Sequence, residues 1–478
     1  MAVIVWFRRD LRMADNPALA AAAASGEPVV PLYLHDEAAA PGAASRWWLH
    51  GSLEALARDL ARLGAPLLLR RGNPADALPT LAREVGAKAI FWNRCYEPAD
   101  IARDKALKAD LSASGIAVKS FGASLLAEPW EVKTAAGDPY KVFTPFWRTL
   151  SGMEIARPLP APRALPPAPP LPSDDLAAWN FRPSKPDWAS GLRAAWTPGE
   201  KGAAARLVGF LDGPVAAYAE ARDYPARDAT SRLSPHLHWG EISPRQIWHA
   251  AKLQADAHPE TALGVAAFLR ELGWRDFSHH LLYHWPHMAE RAWKPEFDRF
   301  PWMPDDALFR AWTRGRTGYP IVDAGMRELW QTGTMHNRVR MIVASFLVKD
   351  LMIDWREGAR WFEDTLVDAD LANNRGGWQW VAGSGADAAP FFRIFNPVTQ
   401  GEKFDADGEY VRRFVPELAA LDVRFIHKPW EAPPLALERA GIVLGTTYPL
   451  PIVDHAMARA RALAAYGGIK GNAGPVDG

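Results

Sequence analysis

The sequence is poor in features that would assign the protein to several common classes. Its 478 residues include a single cysteine, Cys95, which excludes an intramolecular disulfide and a cysteine-built zinc or iron–sulfur site. One cysteine also fits a reducing compartment. Even the apolar run at 341–348 ends at Lys349 and Asp350, well short of a span, so we expect no membrane-spanning helix. The first residues place their charges after a short apolar run, which is not the order of a signal peptide.

An excess of one charge sign is also missing. Lys plus Arg and Asp plus Glu both number 55, so a nucleic-acid partner would need a local basic patch. Apolar residues make up 49% and charged residues 23%, which is the balance of an ordinary globular protein. Tryptophan, in contrast, is abundant, with 22 residues. Because indole rings serve in cores, in stacking and in electron transfer, their positions in the fold matter.

The first part of the chain alternates short apolar runs with amphipathic segments. This alternation predicts βαβ units and a parallel sheet covered by helices on both faces, which is a Rossmann-like α/β domain. The fingerprint G-x-G-x-x-G is absent from the first strand–helix turn, which argues against a nicotinamide oxidoreductase. We predict strands at 2–7, 29–34, 67–69 and 89–92, and helices that begin after Asn16, span 45–63 and follow Asn73.

Proline marks the end of this pattern. Eight of the fifteen residues from 158 to 172 are proline, which predicts an extended connector without regular helix or sheet. Helical periodicity dominates from about residue 195 to about residue 440. We therefore predict an α/β domain at 1–130, a Pro-rich connector at 131–195, a large all-α domain at 196–455 and a short tail at 456–478.

Hydroxyl and amphipathic segments in the helical part can bind a ligand. Thr230, Ser231 and Ser234 stand just before Pro235, and hydroxyls at a helix start bind phosphate readily, with a simple helix cap as the alternative. Glu271, Trp274 and Arg275 fall at i, i+3 and i+4 of a predicted helix. Such a face can hold a planar ligand beside a phosphate, or it can form a surface ion pair over a core tryptophan.

A second helical face follows. We expect residues 335–349 to form one helix on which Asn337, Arg340 and Met341 share a face, while Arg338 points elsewhere. A buried Asn and a buried Arg would both need partners. Asp368 and Asp370 are carboxylates that can serve as these partners. The alternative is that they form a purely structural salt bridge.

The segment after Asp370 combines glycine with tryptophan. Gly376 and Gly377 allow close approach of the backbone to a ligand. Trp378 and Trp380, two residues apart, point in roughly opposite directions, so that one ring can face a redox centre and the other a cavity. The histidines at 279, 280, 284 and 287 lack the His-Glu-x-x-His pattern, and we predict helix-face histidines and no metal site.

Taken together, these segments resemble the photolyase/cryptochrome family, and within it the bacterial cyclobutane pyrimidine dimer photolyases of class I or III. The similarity runs from residue 5 to about residue 404. It rests on five motifs in order: TSRLSP at 230–235, GYPIVD at 318–323, MHNRVRM at 335–341, GGWQW at 376–380 and FRIFNP at 392–397. The resemblance implies an α/β domain, a helical domain that holds FAD, and light-driven electron donation from reduced flavin to a flipped-out pyrimidine dimer in DNA.

The resemblance also implies roles for residues around the cofactor. It implies an Arg340–Asp368 salt bridge beside the isoalloxazine, with Asp370 in the same turn and Asn374 opposite flavin N5. The triad that passes electrons to oxidised flavin would be Trp378, Trp355 and Trp302, from inside to surface. Contacts to the FAD phosphates and ribityl chain are implied for Tyr218, Thr230, Ser231, Arg232, Leu233 and Ser234.

For the substrate, Glu271 and Asn337 resemble the polar partners of the dimer, and Trp274, Met341 and Trp380 resemble its apolar walls. The (6-4) enzymes have His at the positions of Asn337 and Met341, so this chain is expected to act on cyclobutane dimers. DNA phosphate contacts make affinity depend on salt. Candidate DNA contacts are Arg222, Arg275, Arg338, Arg393, Gln400 and Lys403.

Two departures from the family pattern concern the ligand sites. Arg375 stands where the family usually has a second Asn, so we expect the local flavin contacts to differ from those of the family. In the antenna region Asp100 keeps a carboxylate, but Ala99 stands where folate-type members can show Asn. We prefer methenyltetrahydrofolate as antenna, with 8-hydroxy-deazaflavin or none as alternatives. Trp47 and Trp48 serve packing or line this second ligand site.

The family also includes cryptochromes, which are blue-light photoreceptors that signal through a protein partner. Plant cryptochromes carry Asp where this chain has Asn374, and a long C-terminal extension is missing, so we expect repair and not signalling. The expected partner is UV-damaged DNA, with no membrane and no obligate protein partner. We expect a monomer in the bacterial cytoplasm, associated with the nucleoid through DNA.

Overall fold

The computed structural model describes residues 2–387 and 392–471 in two compact units. The first unit contains the chain up to Ala219, with Thr230–Pro286 and Val367–Ala372. The second contains Glu220–Ala229, His287–Leu366 and the chain from Asn373 onward. The first unit thus extends past residue 195, where the sequence pattern placed the start of the helical domain, and the predicted domain ranges stay a proposal. In the described ranges no helix is both long and apolar enough to cross a membrane.

A five-stranded parallel sheet forms the core of the first unit, with strand order β3-β2-β1-β4-β5. All side chains of the central strand β1 are buried, as expected of a parallel strand covered on both faces. Ile4 packs into one of the two flanking cores and Val5 into the other, because successive side chains point to opposite faces. The strands are β1 (Ala2–Phe7), β2 (Val29–His35), β3 (Leu68–Arg71), β4 (Ala87–Asn93) and β5 (Ala117–Phe121).

The α/β prediction is confirmed, and the apolar runs predict four of the five strands. The sequence did not predict β5, because this edge strand pairs with β4 alone and carries Lys119 and Ser120 in a half-exposed stretch. Both predicted helix starts are present. Asn16 Oδ1 accepts from Leu19 N–H (3.0 Å) and Asn73 Oδ1 from Ala75 N–H (2.9 Å), each before a proline. The helices of this layer are α1 (Pro17–Ala24), α2 (Ala43–Arg62), α3 (Pro74–Glu84) and α4 (Pro98–Ala113).

The Pro-rich connector has no helix or strand at residues 158–172, as predicted. It lies along the start of β2, where Val29 N–H donates to the carbonyl of Pro166 (2.9 Å). Proline cannot donate a main-chain hydrogen bond, so the segment stays extended and cannot become a further strand. The predicted connector range 131–195 does contain helices outside the proline-rich stretch, α5 (Phe143–Ser151) before it and α6 (Ser190–Ala195) after it.

Helices make up most of the remaining described chain, as the periodicity predicts. Many are bounded by caps or prolines, such as the Ser243–Gln246 capping box at the start of α10. They are α7 (Glu200–Leu211), α8 (Tyr218–Ala221), α9 (Ser234–His238), α10 (Pro244–Ala257), α11 (Ala262–His284), α12 (Asp306–Thr313), α13 (Pro320–Thr332), α14 (Asn337–Ser345), α15 (Trp355–Thr365), α16 (Leu371–Ala382), α17 (Pro397–Phe404), α18 (Glu409–Phe414), α19 (Pro434–Arg439) and α20 (His455–Gly471).

The predicted single helix at 335–349 is wrong in two respects. Helix α14 begins only at Asn337, because His336 lies outside it and its Nδ1 accepts from Arg338 N–H (3.2 Å). After Ser345 the chain continues as a π-helical turn, Phe346–Asp350. A π turn holds more residues than an α turn, so residues before and after it do not keep the α-helical face.

The segment predicted as a short tail, 456–478, is largely the helix α20 in the described part, while 472–478 lie outside the described residues. Ala462 and Ile469 are buried in an aromatic cluster with Phe297 and Phe392. His455 Nδ1 lies 2.5 Å from Asp350 Oδ1, which ties the start of α20 to the π turn. Helix α20 is therefore an integral part of the second unit.

Candidate functional site

The hydroxyl-rich segment 230–234 lies in the first unit and leads into α9. Ser234 is exposed, and its Oγ donates to Asp368 Oδ2 (2.6 Å). Arg232 has φ 51°, in the left-handed region that is uncommon for a residue with a side chain. Leu233 occupies the N-cap position of α9 without a side-chain cap, so the cap alternative does not describe this segment. The turn therefore presents hydroxyls and a guanidinium, which suit phosphate and ribityl groups.

Asp370 is held as a carboxylate by two histidines of the first unit. His279 Nε2 lies 3.2 Å from its Oδ2, and His238 Nδ1 lies 4.0 Å from the same atom. Burial acts to raise the pKa of Asp370, but His279, His238 and Arg275 outweigh it and hold that pKa well below its usual range. The turn next to Ser234 thus carries a fixed negative charge.

Helix α11 presents the predicted Glu271, Trp274 and Arg275 as half-buried side chains. The indole of Trp274 stacks on Phe143, with ring centroids 3.6 Å apart and planes 8° from parallel. One face of the indole is therefore covered by protein, and its orientation is fixed. Arg275 Nη1 donates to the Ser124 carbonyl (2.6 Å), so this guanidinium already serves the fold. Tyr218, the predicted FAD contact, packs its buried ring against Phe210 and Phe268 at 5.4 and 5.7 Å.

Helix α14 carries four predicted residues in the second unit. Asn337 was expected to be buried, but it is exposed, because it is the first residue of the helix. Arg340 and Met341 are half-buried, and Arg340 Nε donates to the Met335 carbonyl (2.8 Å). An exposed amide at a helix start is accessible to a ligand, and a hydrogen bond to that ligand would compensate for the water it displaces.

The fourth residue of α14, Arg338, is paired within the second unit. Its Nη2 lies 2.8 Å from Asp223 Oδ2, and its guanidinium lies 4.4 Å from the centre of the Phe404 ring. Asp223 is a partner that the sequence patterns did not indicate. The role of Arg338 as a DNA contact stays a prediction, and Asp223 competes with it.

Asn374 and Arg375 on α16 share one partner, Glu363 of α15. Asn374 Nδ2 donates to the Ala359 carbonyl (3.0 Å) and to Glu363 Oε1 (3.2 Å). Arg375 Nη2 lies 2.8 Å from Glu363 Oε1. The departure from the family pattern at Arg375 is therefore matched by a carboxylate twelve residues earlier, a pairing that no motif signals.

The three tryptophans of the predicted triad lie in the second unit. Trp355 and Trp378 are buried, with 1% and 3% of their surface exposed, whereas Trp302 is half-buried. A Cβ atom on Gly358 would come within 2.1 Å of the Trp378 ring, so a glycine is needed there for the indole to fit. Trp378 also contacts Trp312 and Phe362, at 6.2 and 5.1 Å between ring centres. Trp380 is half-buried on the same helix, α16.

Further predicted DNA contacts lie on or near α17. Arg393 and Lys403 are exposed, and each cation lies over an aromatic ring, Phe395 at 4.6 Å and Phe404 at 5.1 Å. Gln400 is half-buried. Arg222, also half-buried, lies in the second unit. The cation–π contacts hold these two exposed charges near the surface, where they are accessible to DNA phosphates.

The predicted antenna residue Asp100 lies in α4 of the first unit, with Oδ1 2.9 Å from Arg103 Nη2. Burial acts to raise the pKa of Asp100, yet Arg9, Arg103 and Arg8 lower it. Trp48 is fully buried and its Nε1 donates to Glu241 Oε1 (3.1 Å), while the Trp47 Nε1 is buried without a partner in the described chain.

The helix-face histidines bind main-chain carbonyls of the first unit. His280 Nδ1 lies 3.0 Å from the carbonyl of Pro129, and its Nε2 lies 3.2 Å from that of Tyr140. His284 Nε2 lies 3.1 Å from the same Pro129 carbonyl. In the described structure His280 and His284 therefore hold the segment that contains Pro129 and Tyr140 against α11.

Comparison with known proteins gives consistent matches along the chain. Residues 3–166 match a family model described as DNA photolyase, and residues 268–468 match one described as FAD binding domain of DNA photolyase. A deoxyribodipyrimidine photo-lyase of Agrobacterium fabrum is 55% identical over 98% of this chain and 98% of its own. Cryptochrome-1 of Arabidopsis thaliana is 43% identical over 96% of this chain and 69% of its own.

A solved structure agrees with these matches. The crystal structure of a bacterial class III photolyase from Agrobacterium tumefaciens superposes with a TM-score of 0.96, at 55% identity and 98% coverage of both chains. The five-stranded parallel sheet and the helical part that matches an FAD binding domain are thus those of a known fold. The chain belongs to the DNA photolyase and cryptochrome family.

Proposed function

We propose that this protein is a deoxyribodipyrimidine photo-lyase that uses light to repair cyclobutane pyrimidine dimers in DNA. The 55% identity to a photo-lyase over nearly the whole chain supports the activity. The observation that carries the choice of repair over signalling is Asn374, a neutral amide held by Ala359 and Glu363 at the position where plant cryptochromes carry a carboxylic acid.

FAD is the cofactor, in agreement with the FAD-binding family model over residues 268–468. When bound and reduced, it supplies the light-excited electron that splits the cyclobutane ring. We propose that Arg340, Asp368 and Asp370 lie beside the isoalloxazine and Asn374 at N5. The Ser234–Asp368 hydrogen bond supports this assignment, since it joins the hydroxyl segment to the carboxylate turn. The phosphates and ribityl chain would contact Tyr218, Thr230, Ser231, Arg232, Leu233 and Ser234.

The dimer would be held by polar and apolar side chains with different tasks. Glu271 and Asn337 hydrogen-bond its carbonyl and imide groups, and the exposure of Asn337 supports that role. Trp274 offers a flat apolar surface in a fixed orientation, because Phe143 supports its other face. Met341 and Trp380 complete the apolar walls. A dimer pairs weakly with the opposite strand, which lowers the extrusion cost of a few kcal/mol.

Electron supply and DNA binding involve further residues of the second unit. Trp378, Trp355 and Trp302 form the proposed route by which oxidised flavin regains electrons, and the burial of the first two protects them from solvent. Arg393 and Lys403 are the exposed cations best placed for phosphates. Arg222, Arg338 and Gln400 are weaker candidates. Arg275, in the first unit, is the weakest of the candidates, because it already donates to Ser124.

Several finer properties belong to the same proposal. We propose methenyltetrahydrofolate as antenna near Asp100, Trp47 and Trp48, with 8-hydroxy-deazaflavin or none as alternatives. UV-damaged DNA is the partner, and the protein acts as a monomer in the bacterial cytoplasm, at the nucleoid. An absorption spectrum tests the antenna, because a strong near-ultraviolet or violet band beside the flavin bands would identify it.

The test of the main proposal is repair in light. Purified protein is mixed with single-stranded and duplex DNA that contains thymine dimers, and half of each sample is kept dark. We expect dimers to disappear only in the illuminated samples. The cryptochrome alternative has support in the 43% identity to Cryptochrome-1. Capture of a protein partner only after illumination, without any loss of dimers, would favour that alternative.

A further inference from the structure

Glu363 connects two neighbouring residues of α16 from the facing helix α15. Its Oε1 accepts from Asn374 Nδ2 (3.2 Å), and both of its oxygens lie near Arg375, with Oε1 at 2.8 Å and Oε2 at 3.0 Å from Nη2. The side chains of Glu363 and Arg375 are 30% and 12% exposed, so the pair is shielded from much of the solvent. A carboxylate and a guanidinium in this geometry form strong charge-assisted hydrogen bonds.

These contacts fix which way the amide of Asn374 points. Both partners on one side of the amide, the Ala359 carbonyl and Glu363 Oε1, are acceptors, so the nitrogen must lie there. A reversed amide would place its own oxygen against two acceptors and lose both bonds. Within the described ranges no donor contacts Asn374 Oδ1, which points away from Glu363 and Ala359. Asn374 therefore presents an acceptor, and not a donor, to a group on the side away from Glu363 and Ala359.

We infer that Glu363 is a positioning residue that sets the redox preference of the bound flavin through the orientation of Asn374. The inference rests on the proposed function, which puts Asn374 at flavin N5. Reduced flavin carries a proton on N5 and can donate to Oδ1, whereas oxidised flavin has a lone pair there that Oδ1 repels. The fixed amide thus favours the reduced cofactor, the state that the proposed repair needs.

Arg375 has a supporting role in this arrangement. It keeps the Glu363 carboxylate in place between α15 and α16 by sharing Oε1 with Asn374. Its guanidinium also lies 5.9 Å from the centre of the buried Trp355 ring. The unusual Arg375 and Glu363 therefore act as a pair, because either residue alone would leave a half-buried charge without its partner.

The test is the midpoint potential of the bound flavin in Glu363→Met. Without the carboxylate only the Ala359 carbonyl (3.0 Å) still holds the amide nitrogen. Turning the amide then breaks one hydrogen bond where it broke two before, and the turned amide can donate to oxidised N5. We expect the relative affinity for reduced over oxidised flavin to fall about tenfold, which shifts the potential by about 30 mV to more negative values for a two-electron couple. Glu357→Met is the matched control, because it removes an exposed ion pair with Arg360 on the same helix.

Two further variants separate positioning from folding. Glu363→Gln keeps an acceptor oxygen for Asn374, and we expect a potential close to that of the unchanged protein. Asn374→Ala removes the amide, so adding Glu363→Met to it should cause no further shift. An unchanged potential in Glu363→Met, beside a clear shift in Asn374→Ala, would overturn the inference. A protein that binds no flavin would instead contradict the proposed function itself.

Discussion

Arg338 and Asp223 form an ion pair with 2.8 Å between Nη2 and Oδ2, in which the arginine is 16% and the aspartate 40% exposed. The Arg338 guanidinium lies over the Phe404 ring, so it is held in one place. A phosphate that approaches Arg338 must therefore compete with a carboxylate that is already present. DNA binding by this residue would involve an exchange of partners, and Asp223 would limit the affinity.

Removing Asp223 and removing Arg338 should change DNA affinity in opposite directions. We expect Asp223→Asn to bind dimer-containing single-stranded DNA more tightly, because Arg338 then meets phosphate without competition. Arg338→Gln should weaken binding and lower the slope of log K against log salt by about 0.7. Fluorescence anisotropy at several salt concentrations measures both. Asp422→Asn, which breaks the exposed pair with Arg424, should change neither. Equal affinity in all variants would remove Arg338 from the interface.

Glu271 is expected to act on the substrate and not on the cofactor. Glu271→Ala should lower the yield of repaired dimers per absorbed photon, because the dimer carbonyl loses a charged or hydrogen-bonding partner, while flavin absorption stays unchanged. The measurement is dimer loss under calibrated light, beside the flavin content of the same sample. Glu260→Ala, an exposed carboxylate just before α11, serves as control. Full repair by Glu271→Ala would refute the assignment.

The tryptophan route is expected to matter only when the flavin is oxidised. Trp378→Phe and Trp302→Phe should slow light-driven reduction of oxidised flavin by at least about tenfold, since phenylalanine is much harder to oxidise. Both variants should still repair dimers when the flavin is reduced chemically beforehand. Trp430→Phe, a half-buried indole that packs on Tyr319, is the control. Normal photoreduction in both variants would show that electrons use another path.

Asp276 should make stability depend on pH. Burial raises the pKa of this carboxyl to about 6, against the lowering effects of Arg275 and the Leu126 N–H. The folded protein therefore binds the proton more tightly than the unfolded chain, whose aspartates have a pKa near 3.9. The free energy of unfolding must then fall as pH rises from about 4 to about 6, by at most about 3 kcal/mol from this group.

Asp276→Asn should remove that contribution. The melting temperature of the unchanged protein, relative to the variant, is expected to drop between about pH 4 and about pH 7. The amide oxygen introduced by the substitution can still accept from Leu126 N–H, as the carboxylate of Asp276 does, so the loop contact is retained. Calorimetry at several pH values measures the difference, with the exposed Asp407→Asn as reference. A difference that does not change with pH would contradict the assignment to Asp276.

The sequence predicted what depends on local patterns. Apolar runs located β1, β2, β3 and β4, and Asn16 and Asn73 marked helix starts, because strands and caps are encoded within a few residues. Strand β5 was missed because an edge strand needs no apolar run. Asn337 was expected in the interior because the helix was extended back to residue 335, whereas the cap at His336 places Asn337 at its exposed end.

Local patterns could not predict contacts between residues that are far apart in the sequence. Asp223 and Arg338 are separated by 115 residues. Asp370 lies in the turn before α16 and its partner His279 lies on α11, so no periodicity relates them. The motifs suggested which residues to examine, but not what each one contacts. Only the folded chain shows that Glu363, which lies in no motif, contacts both Asn374 and Arg375.

Helix α20 limits how the end of this chain can be altered. Tyr466 stacks on Phe392 with ring centres 4.4 Å apart, and Arg461 donates to the Asp350 carbonyl (2.6 Å). Truncation before His455 would expose the aromatic side chains that α20 covers, Phe297 and Phe392, and such an exposed apolar patch promotes aggregation. Affinity tags and fluorescent reporters should therefore be attached so that the whole of α20, with these stacked rings and the arginine contact, stays intact.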